Sequence, residues 1–173
     1  MTLVKKQGLG AWISLVALLA AVIALILYGV ALSGGMNLQI ASGSDLFYES
    51  IRPEDSAMMS TVVTFGVLAL VSLALAVVLG QFQLKETLGK VCEIVVGVLR
   101  IVAPVFLMVA LLYFAYGSFT GLAWTFFSNA ELEIYAEATT VGTQVITGLV
   151  FFCISAVSGI VAAFFAITKK NAK

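Results

Sequence analysis

A chain of 173 residues has room for one domain, and 62% of this one is apolar against 10% charged, with a mean hydropathy of +1.14. A water-soluble protein of 18.3 kDa has too high a surface-to-volume ratio to hide that much apolar surface, so the composition requires lipid. Net charge is zero and histidine is lacking, which excludes the overall basic field of a nucleic-acid binder and removes the commonest metal ligand and general base.

The first apolar run, 11–33, contains no charge and meets the requirement of about 20 helical residues to cross about 30 Å of hydrocarbon. Lys5 and Lys6 precede it, and Ala31-Leu32-Ser33 has the small-residue spacing of a signal-peptidase site. Its apolar core is nevertheless longer than the roughly 7–15 residues of a signal peptide, which makes it an uncleaved anchor. The segment 34–57 is polar and acidic. Within it Met36 to Ala41 alternates, Ser42-Gly43-Ser44-Asp45 reads as a turn, and Leu46-Phe47-Tyr48 is β-prone, a pattern that predicts a short β-hairpin. Pro53-Glu54-Asp55 suits a first helical turn, by fixed φ and by acids at the positive end of the dipole. The second span is therefore set at 58–80, on a helix that begins before it.

A loop at 81–91 leads to the third span, set at 92–118, whose start is ambiguous. Glu86, Lys90, Glu93 and Arg100, with Gly97 between, recur at steps of four and three. That stripe fits a helix lying at the membrane interface, with the span beginning near Pro104. The alternative, preferred here, is one long helix from near Val91 with a kink at Pro104, since proline need not end a helix in a membrane. In that arrangement Arg100 leans toward the helix N-terminus and snorkels toward Glu93. These two charges are the only ones expected to enter the membrane. The segment 119–140 forms a second loop, in which Ser128 and Glu131 fit a capping box for the helix of the fourth span, 141–168.

Unsatisfied sheet edges are not tolerated in hydrocarbon, so all four runs must be helices. Lys5, Lys6, Lys85, Lys90, Arg100, Lys169, Lys170 and Lys173 fall on one side of this arrangement and only Arg52 on the other, while seven acids (Asp45, Glu49, Glu54, Asp55, Glu131, Glu133 and Glu137) mark the opposite side. The positive-inside rule then predicts both termini in the cytoplasm and two acidic outer loops. The expected fold is all-α: a left-handed bundle of four transmembrane helices. This is a tetraspan layout without the W-GLW-C-C pattern of claudins or the C-C-G motif of tetraspanins.

Candidate functional residues fall into three groups. Leu46, Phe47, Tyr48, Trp124, Phe126 and Phe127 form an outer aromatic and apolar set, either a partner-binding surface or an interfacial aromatic belt. Ser72, Ala76 and Gly80, and Ser155, Gly159 and Ala163, repeat every four residues and let helix backbones approach closely, first within the bundle and then toward a partner. Glu93 and Arg100 are the intramembrane charges. Thr143, Gln144 and Thr147 cluster near the outer end of the fourth span, where hydroxyls can equally bond back to their own helix. Cys92 and Cys153 lie at different depths, no C-x-x-C pair exists, and Asn37 and Asn129 lack a glycosylation sequon. No catalytic, metal or cofactor constellation is legible. The expectation is a non-enzymatic accessory or structural subunit of a plasma membrane, with a bacterial inner membrane favoured, that binds another membrane protein or itself. The alternative is a small channel or carrier whose pathway forms only in an oligomer, with Arg100 and Gln144 lining water.

Overall fold

Each apolar run becomes a helix because only internal i to i+4 bonding satisfies the backbone where lipid offers no hydrogen-bond partner. The computed structural model describes residues 2–3, 8–33, 53–83, 86–127 and 135–165. In chain order these form β1 (Thr2–Leu3), α1 (Leu9–Ser33), α2 (Pro53–Leu79), β2 (Phe82–Gln83), α3 (Glu86–Phe127) and α4 (Tyr135–Ala163). Four helical stretches are long and apolar enough to cross a membrane: Leu9–Ser33, Ala57–Leu79, Thr87–Phe127 and Thr139–Ala163. Only 33–39% of each apolar window is buried inside the protein. The outward faces carry Leu19, Ile26 and Leu112, all highly exposed, so the remainder is the surface a bilayer would cover.

The helices follow one another around a square. α1 packs on α4 and α2, and α3 packs on α2 and α4, with the α1–α2 contact the sparsest of the four. What sets this packing is visible along each helix. Among the buried positions of α1, Gly10, Ser14, Ala17, Ala21, Ala24, Tyr28 and Ala31 form a stripe in alternating steps of four and three, flanked by Ala11 and Ala20. α2 repeats the pattern with Val62, Gly66, Ala69, Leu73 and Ala76, and α4 with Val141, Val145, Gly148, Phe152, Ser155, Gly159 and Ala162. α3 carries Val96, Arg100, Ala103, Leu107, Ala110 and Phe114 on the same spacing. A 3.5-residue repeat keeps one stripe facing its neighbours and favours a left-handed supercoil.

Stripe composition changes along the bundle. Toward the end where α1 begins and α4 ends, here the proximal end, it is alanine, serine and glycine. Toward the opposite, distal end it is aromatic. Tyr28 meets Phe114 edge-on, with ring centroids 4.7 Å apart, and Phe114 meets Phe152 at 6.0 Å. The Tyr28 hydroxyl donates to the Met59 carbonyl at 3.3 Å, which ties α1 to α2 at this level.

Several boundaries depart from those expected. α2 does open on Pro53, where a fixed φ and an N–H the helix does not need favour proline. α3 is 42 residues long and contains Pro104 within it, the single long helix preferred above, although it opens at Glu86 rather than near Val91. At its far end Phe119 to Phe127 continue the helix rather than forming a loop, because Ser118 and Thr125 are buried and Phe126 lies against Gly142 of α4. α4 closes at Ala163, although the apolar run continues to Thr168. Phe164 and Phe165 turn there, donating to the Val161 and Ala162 carbonyls. β1 and β2 pair antiparallel, Thr2 with Gln83 and Leu3 with Phe82, an interaction between distant segments that no local pattern announces. The predicted hairpin in 34–57 and the capping box of Ser128 and Glu131 lie outside the described residues.

Overpacking the α1–α4 seam should therefore unfold the bundle more readily than truncating its outer face. Ala21→Leu is expected to cost about 2 kcal/mol or more, as inserted volume does in a close-packed core, whereas Leu19→Ala on the outward face should cost well under about 1 kcal/mol. Unfolding of the purified protein in mixed micelles measures both, and equal losses would contradict this packing.

Candidate functional site

Small-residue stripes are the first group to place. Ser72 and Ala76 are buried in α2, while Gly80 follows the helix end and donates its N–H to the Ala76 carbonyl. Ser155 and Gly159 are buried in α4 and Ala163 is half-buried. Ser155 Oγ donates across the seam to the Ala17 carbonyl at 2.7 Å, and a Cβ on Gly159 would press on Pro104 of α3 at 3.3 Å. These faces are spent inside the chain. The alanine stripe of α1, which faces them, escaped the sequence reading because alanine is common throughout the spans. Its signal was the four-three spacing, not the residue type.

Hydroxyls near the distal end of α4 turn inward on their own helix. Thr143 Oγ1 donates to Thr139 O at 2.8 Å and Thr147 Oγ1 to Thr143 O at 2.7 Å, as hydroxyls do when no better acceptor is near. They build no polar pathway with Arg100, which lies at the proximal end.

On the distal half, the loose α1–α2 contact opens a groove of about 510 Å³ lined by Leu25, Tyr28, Gly29, Leu32, Ser33, Met59, Val63 and Val67. A Cβ on Gly29 would meet nothing within 4 Å, so the α1 backbone itself forms part of its wall. Of the expected aromatic set, Phe127 is exposed at the end of α3 and Phe126 is partly covered. Leu46, Phe47, Tyr48 and the Trp124 side chain lie outside the described residues. Phe119 and Tyr116, not singled out from the sequence, are strongly exposed on the same helix.

Arg100 is the outlier. The sequence suggested snorkelling toward Glu93, but the side chain is only 8% exposed, while Glu93 is exposed. The reason lies in the stripe it belongs to. Arg100 occupies a core-facing position, four residues before Pro104 and three before buried Ala103. Its guanidinium therefore turns in against the proximal ends of α1 and α4, where a Cβ on Gly10 would come within 2.7 Å of Nη2 and would also strike the Phe165 carbonyl. Nε and Nη2 are buried and have no hydrogen-bond partner. Residues 86–99 run on past this level, about 20 Å of helix at 1.5 Å per residue, and α2 accompanies them, since Cys92 Sγ lies 4.0 Å from the Leu79 carbonyl. The charged stripe Glu86–Lys90–Glu93 is thus the same face that buries Ala103 and Leu107 further along, charged where α1 and α4 no longer cover it. A buried unpaired charge is strongly unfavourable in general.

No protein family, curated protein or solved structure matches the chain. Function must therefore be argued from this geometry alone.

Because Ser155 bonds across the seam and Thr143 bonds within its own helix, their alanine variants should differ. Ser155→Ala is expected to lose about 0.6 kcal/mol, the average for interhelical hydrogen bonds in membranes, and Thr143→Ala close to nothing. Both are read from the same mixed-micelle unfolding, and a reversed order would contradict the seam hydrogen bond.

Proposed function

We propose that this protein is a non-enzymatic integral membrane subunit that holds a partner membrane protein on its distal half. The observation that carries this reading is the groove between α1 and α2. The α1–α2 contact is much sparser than the other three helix pairs of the bundle, which leaves this face open. Its walls are mainly apolar, with Ser33 and Tyr28 as the polar members, and Gly29 lets a second backbone come close, the condition under which helices associate in lipid. The exposed aromatics Phe119 and Phe127 extend an apolar surface at the same end. A pathway for solutes through one copy finds no support, because the stripe positions from Ala17 to Ala24 and from Ala103 to Ala110 are almost wholly buried against protein.

The membrane and the orientation belong to the same proposal. Eight basic residues on the side of the termini and the 81–91 loop, against Arg52 alone on the other, support cytoplasmic termini. Low overall charge fits a plasma membrane, with a bacterial inner membrane favoured. The groove then opens in the outer half of the bilayer.

Alkaline phosphatase inserted in the 34–52 segment should be active and a fluorescent protein fused after Lys173 should fluoresce in the cytoplasm; the opposite pair of results would invert the orientation. Purification in mild detergent should retain a second membrane protein at fixed stoichiometry. Gly29→Trp, which fills the groove without entering the core, should weaken that association about tenfold, the equivalent of 1.4 kcal/mol, while leaving the melting temperature unchanged. A clean homo-oligomer would overturn the subunit reading in favour of the oligomeric channel, for which flux into liposomes is the next measurement.

A further inference from the structure

We infer that the proximal end of the bundle binds a phosphate-type oxyanion between the guanidinium of Arg100 and the first turn of α1. The inference is independent of the distal groove and rests on three observations that converge on one point.

The donors are there and unspent. Arg100 is 8% exposed, and its Nε and Nη2 are buried without hydrogen-bond partners. These two atoms lie on one edge of the planar guanidinium, the edge that grips two oxygens of a carboxylate or phosphate in parallel hydrogen bonds. Nη2 faces Gly10 in the first turn of a 25-residue helix, where backbone N–H groups have no intrahelical acceptor and the dipole is positive. Ala11 N–H already bonds back to the Gly8 carbonyl, which closes the turn and uses one of its donors. Helix N-termini with this character are ready-made anion sites, and here a buried, unpartnered arginine is aimed at one.

Among the described residues no carboxylate faces the guanidinium. α1 contains no acid, and the sequence beyond Glu137 contains none. Seven of the nine carboxylates belong to the distal loops and the helix starts beside them; Glu86 and Glu93 are the remaining two, and Glu93 is exposed rather than turned to the guanidinium. The C-terminal end of α4 presents the Phe165 carbonyl nearby, and its dipole favours a cation. The adjoining start of α1 opposes that effect with the opposite sign, because the two helices run antiparallel. A full positive charge is left over.

The depth selects the chemistry. Arg100 sits level with the start of α1 and the end of α4, the boundary between the apolar spans and the polar residues beyond. Lipid phosphates lie at that level in a bilayer, and juxtamembrane basic residues attract anionic lipids. An anionic phospholipid headgroup and free inorganic phosphate share the relevant chemistry, two or more oxygens on one phosphorus, and both fit the guanidinium edge.

The test uses the full-length protein in nanodiscs of phosphatidylcholine, of phosphatidylcholine with phosphatidylglycerol, and of phosphatidylcholine with millimolar inorganic phosphate. Phosphatidylglycerol should raise the melting temperature of the wild type above its value in phosphatidylcholine, and native mass spectrometry should show one lipid retained about tenfold more tightly. A rise with inorganic phosphate alone assigns the site to the soluble anion, which supports the oxyanion inference equally. Arg100→Gln should abolish either response, and in pure phosphatidylcholine it should be no less stable than the wild type, because a buried unpaired charge has been removed. Arg100→Lys should restore part of the response. A loss of stability in Arg100→Gln that is the same in all three membranes would show that the arginine only caps α4 and would overturn the inference. Should Arg100→Gln not fold, the wild type decides alone: identical melting and lipid retention under all three conditions would also overturn it.

Discussion

Ser155 reaches from α4 to the backbone carbonyl of Ala17 across 2.7 Å, and that single contact states the constraint on which the molecule depends. Two helix axes must come very close for so short a side chain to bridge them. In water the hydrophobic effect would drive such contact, but lipid tails are as apolar as the helices, so association relies on backbone proximity and surface fit. The chain meets this demand with alanine, glycine and serine at every stripe position along the proximal seam, from Gly10 to Ala24 on α1 and from Ser155 to Ala162 on α4. Large residues are sent outward, where Val16, Leu19 and Ile26 are exposed. Along this seam a size rule holds: small inward, large outward.

That rule has consequences for what the protein can do. The stripe positions of this seam carry no titratable side chain. Chemistry, if the bundle takes part in any, is displaced to its surfaces and ends. Tyr28, Phe114 and Phe152 fill the distal half with aromatic rings, and the groove opens at the α1–α2 edge, where the contact is thinnest. Tight packing at one end and a gap at the other are two sides of the same distribution of residue size.

Arg100 breaks the size rule, and it does so where the seam ends. Its position on the stripe is equivalent to that of an alanine one or two turns further along, yet α1 and α4 stop at this level and leave room for a long side chain. The preceding turns of α3 carry Lys90 and Glu93 on the face that would be core if the neighbouring helices continued. One helix thus passes from a charged face to a packed face along a single stripe, and Arg100 is the residue at the transition.

Local chemistry announced a good deal of this. Four apolar runs of sufficient length, Pro53 at a helix start and the division of charge between the loops are all properties of neighbouring residues, and the four helices follow because hydrocarbon allows the backbone no other way to satisfy itself. The small-residue repeats in α2 and α4 were legible for the same reason. What needed the tertiary structure was every choice between equivalent local options. The orientation of Arg100, outward toward Glu93 or inward toward Gly10, depends on where α1 and α4 end, which α3 alone cannot specify. The length of α3 past Gly121 depends on Gly142 receiving Phe126, and the pairing of Thr2–Leu3 with Phe82–Gln83 joins segments nearly eighty residues apart. The groove beside Gly29 exists only because two helices diverge. The sequence by itself determined that there would be helices and which of their residues were small. Only the packed bundle decided which of those residues meet and which charge is left without a partner, because these depend on distances between chains of atoms that local preference does not constrain.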